Sequence, residues 1–128
     1  MVANISLDGA NELMKKIDWM EDRINRMANK ALREAAKPVA EAMRANVNVS
    51  NKEHVHIRDD IKISGVRTKE DTKYIDVGPG KDTAWRAKFL EFGTSHAPPY
   101  PFIEPAIKET KEEVKRILRE SLKAGLGG

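Results

Sequence analysis

The stretch Phe89-Leu-Glu-Phe-Gly-Thr-Ser-His-Ala-Pro-Pro-Tyr-Pro-Phe-Ile-Glu-Pro-Ala-Ile107 sets the architecture of this chain. An apolar run ends at Glu91-Phe92, and Gly93 permits a turn that a Cβ would resist. Pro98, Pro99 and Pro101 then fix φ and stiffen the path. Pro105 stands where a new helix can begin. A segment this rigid and apolar is more than a linker. Phe89, Phe92 and Gly93 are expected to turn the chain and seal its core. Ala97 to Phe102, with Pro99, Tyr100 and Pro101, is expected to present a stiff edge to a neighbour. For Phe102 itself, core and interface both remain open.

Long helices are expected on both sides. Upstream, Leu13, Met14, Ile17, Met20, Ile24, Met27, Ala28, Ala31, Leu32, Ala35, Val39 and Met43 recur at steps of three and four. That spacing leaves one apolar stripe on a helix. Asp8 is the expected N-cap, after a very short strand at Ile5-Ser6-Leu7. Pro38 removes a backbone donor and should kink the helix near Lys37. Alanines from Ala28 to Ala45 predict close packing against another element, with methionines filling gaps. Downstream, Ile107, Val114, Ile117, Leu118 and Leu122 give a second stripe. Lys108–Glu112, Glu112–Arg116 and Arg116–Glu120 are expected i,i+4 pairs on its polar side.

Between the helices, Asn46 to Asp60 loses the helical period and reads as a loop. Ile61-Lys-Ile-Ser-Gly-Val66 and Tyr74-Ile-Asp-Val77 read as an antiparallel hairpin around Lys69-Glu70-Asp71, closed by Gly78-Pro79-Gly80. Ala84 to Glu91 reads as a short helix. The expected fold is α+β, with a small antiparallel sheet flanked by a long N-terminal helix and a C-terminal helix. It forms a single domain over 1–128, with a loop at 46–60 and a flexible tail at 124–128. Two strands alone are marginal, so a third is expected from Ile5-Leu7, from beyond Phe92 or from another subunit.

At 128 residues the chain is long enough to bury a core. It has no cysteine, which excludes disulfides and thiolate metal sites. No apolar run approaches the ~20 residues that span a bilayer, so no membrane partner is expected. Met1 to Asp18 lacks a basic region followed by an apolar stretch, so no secretory signal is expected and the cytoplasm is the default. Lys and Arg number 23 against 20 Asp and Glu, and this net charge of +3 does not announce a nucleic-acid binder. Arg23, Arg26, Lys30 and Arg33 nevertheless form a basic ridge on the first helix, with Lys37 in line. These are candidate phosphate contacts, and a small basic nucleic-acid-binding regulator is the competing functional reading. No aromatic platform for single strands accompanies the ridge.

Motifs for catalysis are missing. His54-Val-His56 has strand spacing but no further ligands of standard spacing, so no metal site is expected. Ser95-His96 beside Glu91 lacks a nucleophile elbow. Gly78-Pro79-Gly80-Lys81 lacks the phosphate-loop spacing, and Pro79 removes a donor. No catalytic residue, cofactor or enzymatic activity is expected.

One resemblance covers the opening stretch. Aromatic/apolar-Glu-Phe-Gly-Thr, a polar stretch and Pro-Phe-x-x-Pro-Ala are here Glu91, Phe92, Gly93, Thr94, Pro101, Phe102, Pro105 and Ala106. This pattern resembles the minor virion proteins that join head to tail in long-tailed bacteriophages, typified by gene product ten of a lambdoid phage. More loosely, Ile5-x-Leu7-x-Gly9, the Ala-rich helix and Ile61-Lys-Ile-Ser64 also fit. Members often carry Pro-x-x-Thr-Gly-x-Leu before the first strand, where this chain has Asn46 to Asp60 without Pro or Gly. The resemblance implies a non-enzymatic subunit of a phage or prophage that acts in tail completion or head–tail joining. It implies a homo-oligomeric ring, or docking on one, between head connector proteins and tail-tube proteins. DNA in the lumen would be touched only by sequence-independent charge. The implied location is the virion, and the host bacterial cytoplasm during assembly.

Overall fold

A computed structural model describes residues 2–47 and 56–127, with side chains from Lys15 to Gly125 apart from Ile17. The chain opens with α1 (Val2–Asn46), a single helix of 45 residues. At 1.5 Å per residue it is about 67 Å long. Its backbone is helical from Val2, which replaces the strand expected at Ile5-Leu7 and the N-cap expected at Asp8. A three-residue strand needs a partner for its backbone groups, whereas a helix satisfies them locally. The helix also runs without a break through Pro38. The proline withholds only the donor that Glu34's carbonyl would use. Burial of Ala35, Ala36 and Ala40 around it holds the two flanking turns in place.

A 3-10 turn (Ile57–Asp60) leads into β1 (Ile61–Ile63), β2 (Arg67–Lys69), β3 (Thr72–Tyr74) and β4 (Val77–Pro79). These four segments are one long hairpin with a break. At its base β1 pairs with β4, Ile61 opposite Pro79 and Ile63 opposite Val77. At its tip β2 pairs with β3, Arg67 opposite Tyr74 and Lys69 opposite Thr72. Ser64, Gly65 and Val66 face only Ile75 and Asp76, so the outgoing strand carries one extra residue. Such a bulge reverses which side chains face the core. Ser64 manages the break: its N–H donates to the Asp76 carbonyl at 2.8 Å, and its Oγ accepts from the Asp76 N–H at 2.9 Å. Glu70 and Asp71 close the tip, both with positive φ (51° and 62°), the two-residue turn that matches strand twist. Strand β4 includes Gly78 and Pro79, which the sequence reading placed beyond the strand.

No third strand joins either pair among the described residues. The hairpin is held by α1 instead. Ile61 is buried, Arg44 Nη2 donates to the Ile61 carbonyl at 3.0 Å, and Lys73 Nζ donates to Asn29 Oδ1 at 2.9 Å. Packing on a helix thus supplies what a third strand would.

Helix α2 (Ala84–Phe92) and helix α3 (Ile103–Gly127) complete the fold. Asn46 Nδ2 donates to Glu109 Oε1 at 3.0 Å, and Arg23 Nη2 donates to the Gly125 carbonyl at 2.8 Å. These contacts show that α3 runs antiparallel to the C-terminal half of α1. Residues 124–127, read from sequence as a tail, continue α3 and are tied to α1 by the Arg23 bond. A cation at a helix C-terminus also meets the negative end of its dipole. Of the expected ion pairs, Arg116–Glu120 forms at 3.0 Å, while Lys108 turns back to Glu104 at 2.9 Å. The expected 46–60 loop falls largely on residues 48–55, outside the described residues, and His54 lies there too.

The core gathers where the end of α1, the hairpin base, α2 and the start of α3 meet. Ala40, Met43, Val47, Ile57, Ile61, Ala87, Phe102 and Ala106 fill it. Asp60 is a buried carboxylate at its edge. Thr83 Oγ1 donates to Asp60 Oδ2 at 2.8 Å, Lys62 Nζ lies 3.4 Å from Oδ1, and the Gly80 N–H donates to the Asp60 carbonyl at 2.9 Å. A Cβ at Gly80 would stand 2.7 Å from Asp60 Oδ1, so glycine is needed for this approach. The Thr83 hydrogen bond, outweighing burial and aided by Lys62, holds the Asp60 carboxyl below its ordinary range. With the folded value below the unfolded one, this stabilisation is full at neutral pH. It is lost as pH falls below the ordinary carboxylate range and through the folded value. Urea denaturation from neutral pH to about pH 3 checks this. Asp60→Asn should lose less stability on acidification than the wild type, and an identical acid limb would remove Asp60 from the account.

Candidate functional site

Helix α2 and the loop to α3 form one hydrogen-bonded unit. Gly93 ends α2: its N–H donates to the Phe89 carbonyl at 2.7 Å, and its backbone has φ 76°. A Cβ at Gly93 would stand 2.8 Å from the Pro99 nitrogen, so a side chain is excluded by both conformation and space. Thr94 then closes a tight turn. Its N–H donates to the Ala97 carbonyl at 2.9 Å, and its Oγ1 accepts from the His96 and Ala97 N–H groups, each at 3.1 Å. The prolines carry the chain back, so that the Tyr100 N–H donates to the Leu90 carbonyl at 2.7 Å.

Glu91 fastens the far end. Its Oε1 accepts from the N–H groups of Phe102 at 3.2 Å and Ile103 at 2.7 Å, and its Oε2 accepts from Glu104 at 3.4 Å. Those are the orphan donors of the first turn of α3, where a negative charge is also favoured by the dipole. Glu91 thus caps a helix to which it is not adjacent in sequence. Both carboxylate oxygens face backbone, which gives this residue a structural task. Pro105 lies in the first turn of α3, which needs no donor from it.

The aromatic residues divide sharply. Phe102 is 0% exposed, which settles it in the core. Phe92 is 74% exposed and Phe89 is more than half exposed, so the expectation that they seal the subunit is overturned. The reason is helical phase. Trp85, Phe89 and Phe92 stand at i, i+4 and i+7 on one face of α2, while Ala87 is buried and Leu90 packs against the core from the other. Trp85 is 61% exposed and meets Phe89 edge to face, with centroids 6.2 Å apart at 81°. Arg86 lies 5.9 Å from the Trp85 ring. Tyr100 is half exposed on the loop, and Pro99 and Pro101 are exposed beside it. The spacing 85, 89, 92 was the available signal for this face. An apolar stripe alone does not say whether it points inward.

The basic ridge also divides. Arg23 bonds the Gly125 carbonyl and lies 5.5 Å from the Trp19 ring, whereas Arg26, Lys30 and Arg33 are exposed. Among the described residues no cluster of His, Asp and Glu could hold a metal ion, and no helix is long and apolar enough to cross a membrane.

Two contrasts test this geometry. Phe102→Ala should cost about 3–5 kcal/mol, and Phe92→Ala no more than about 0.5 kcal/mol, in chemical denaturation. Equal losses would contradict the division. Glu91→Ala should cost about 1–2 kcal/mol and Glu91→Gln, which keeps an acceptor, less. An unchanged Glu91→Ala midpoint would show that the cap carries no energy.

Comparison with protein families finds a match. The model described as "Bacteriophage HK97-gp10, putative tail-component" matches residues 11–93, well over half of the chain. The matched span runs along α1, through the hairpin and α2, and ends at Gly93, so it includes Glu91 and Phe92 but stops before Pro101-Phe102. The searches of curated proteins and of solved structures gave no significant match. By the extent of that family match, the chain belongs to the HK97-gp10-like family of bacteriophage tail components.

Proposed function

We propose that this tail component works at the head–tail junction, as a tail-completion or head–tail joining subunit without enzymatic activity. It forms a ring or docks on one, between head connector proteins and tail-tube proteins, and is built in the host cytoplasm before it becomes part of the virion. Family membership supports the tail assignment. The observation that carries the joining role is the rigid, exposed aromatic face of α2 and its loop. Trp, Tyr and Phe anchors supply much of the binding energy at protein interfaces. Here they stand on a unit whose internal hydrogen bonds are already made, so little ordering entropy remains to oppose association. Exposed Arg26, Lys30 and Arg33 suit weak, sequence-independent contact with passing DNA.

Co-sedimentation of the purified chain with the tail-tube and connector proteins encoded beside it tests the proposal. Binding to at least one of them is expected, and it should weaken on Phe92→Ala, a change that leaves the fold intact. Binding to neither would overturn the joining role. Titration with duplex DNA at two salt concentrations covers the regulator reading. Weak, strongly salt-dependent binding without sequence preference is expected, and tight sequence-selective binding would favour a regulator.

A further inference from the structure

The exposed face of α2 carries a charge pattern as well as aromatic rings. At about 100° per residue, Lys88 stands about 70° to one side of the Trp85–Phe89–Phe92 stripe and Arg86 about 90° to the other. The only carboxylate within α2 is Glu91, and both its oxygens are taken by the cap on α3. Asp82, before the helix, follows Lys81, and Asp59 on the adjoining 3-10 turn pairs with Arg58 at 3.7 Å. The stripe is therefore bordered by uncompensated positive charge on both sides. Its rings are not set for base stacking, which needs an open ring face. Trp85 meets Phe89 at 81°, and the Arg86 guanidinium lies 5.9 Å from the Trp85 ring. Anionic membrane surfaces are held by clusters of about four to eight cations, more than Arg86 and Lys88 supply.

A second copy does not supply the complement. Pairing two α2 faces would set Arg86 and Lys88 against themselves. The apolar groove at Val39, Ile107 and Val114, between α1 and α3, is itself bordered by Lys111 and Lys115. Where α1 runs on past the end of α3, exposed Met20 and Ile24 have Lys16 and Arg23 on one flank and Glu21 on the other. We infer that the α2 face takes an acidic amphipathic helix of a different virion protein. The partner's apolar residues cover Trp85, Phe89 and Phe92, and its Asp and Glu side chains reach Lys88 and Arg86. The stripe is about 10 Å long, a length matched by apolar residues at i, i+3 or i+4, and i+7 on the partner. Pro99, packed at Gly93, adds a rigid shoulder at the Phe92 end. This inference deepens the joining role by naming the chemistry of the partner, and rests on that reading for its biological setting.

Fluorescence anisotropy with the full chain and two labelled helical peptides of about 20 residues tests it. The peptides share one leucine stripe, flanked by Glu in the first and by Lys in its twin. The Glu peptide should bind at least about tenfold tighter than the Lys twin, and added salt should narrow the gap. Arg86→Glu combined with Lys88→Glu, folded by circular dichroism, should reverse that preference, and Phe92→Ala should weaken binding of the Glu peptide. Lys88→Glu alone, at an exposed position, should move the preference in the same direction, which guards against misfolding of the double variant. Equal binding of the two peptides would overturn the inference, as would no binding of the Glu peptide up to about 1 mM. Tighter binding of single-stranded oligothymidylate or of phosphatidylserine vesicles, lost on Phe89→Glu, would assign the face to nucleic acid or membrane instead. Self-association in sedimentation velocity that is lost on Phe89→Glu would assign it to a second copy. Binding to tail-tube or connector proteins is read separately, so the joining role can stand if the acidic preference falls.

Discussion

The carboxylate of Glu91 on the first turn of α3 is the contact around which the compact end of this molecule is organised. It joins the last turn of one helix to the first turn of another across a proline-rich loop. Capping satisfies donors that would otherwise be exposed to the core edge. It also fixes where α3 starts, and hence the depth at which Phe102 enters the core and the register of α3 along α1. Gly93 and Thr94 serve the same end. The glycine lets Pro99 approach, and the threonine closes the turn that brings Tyr100 back to Leu90. A Glu-Phe-Gly-Thr step is therefore a device for clasping two helices, with only its Phe left over for the outside.

That leftover residue marks the limit of what sequence could show. The elements themselves were legible: apolar steps of three and four located α1 and α3, alternation located the hairpin, and the prolines and glycine located the clasp. Direction was not. Phe92 and Phe102 are the same residue type in the same motif, yet one is in solvent and the other fully buried. The difference comes from the phase of α2 against Ala87 and Leu90, a tertiary fact. The role of Glu91 was hidden for a similar reason, because its acceptors' partners lie eleven to thirteen residues away. Capping signals are normally local. The bulge at Ser64–Val66 was also illegible, since Gly65-Val66 reads as a continuing strand until the registers on either side are compared.

The N-terminal end of α1 shows local and tertiary preferences trading places. Ile5 and Leu7 alternate, and a strand there would have enlarged a small sheet. The hairpin, however, contacts α1 far from that point, at Asn29 and Arg44. With no edge within reach, the backbone takes the conformation that needs no partner. The outcome is a helix whose C-terminal half is a scaffold for everything else and whose N-terminal half outruns it. Pro38 is tolerated because it falls in the half where alanines are buried on both sides of it.

Such an arrangement separates folding from assembly. The core and the clasp are complete within one chain, with Phe102, Met43 and Thr83 buried and the loop's polar groups paired internally. The aromatic face of α2 and the extension of α1 contribute little to that core. Apolar surface left on rigid elements gives up little conformational entropy when covered, so its burial is available almost in full to association.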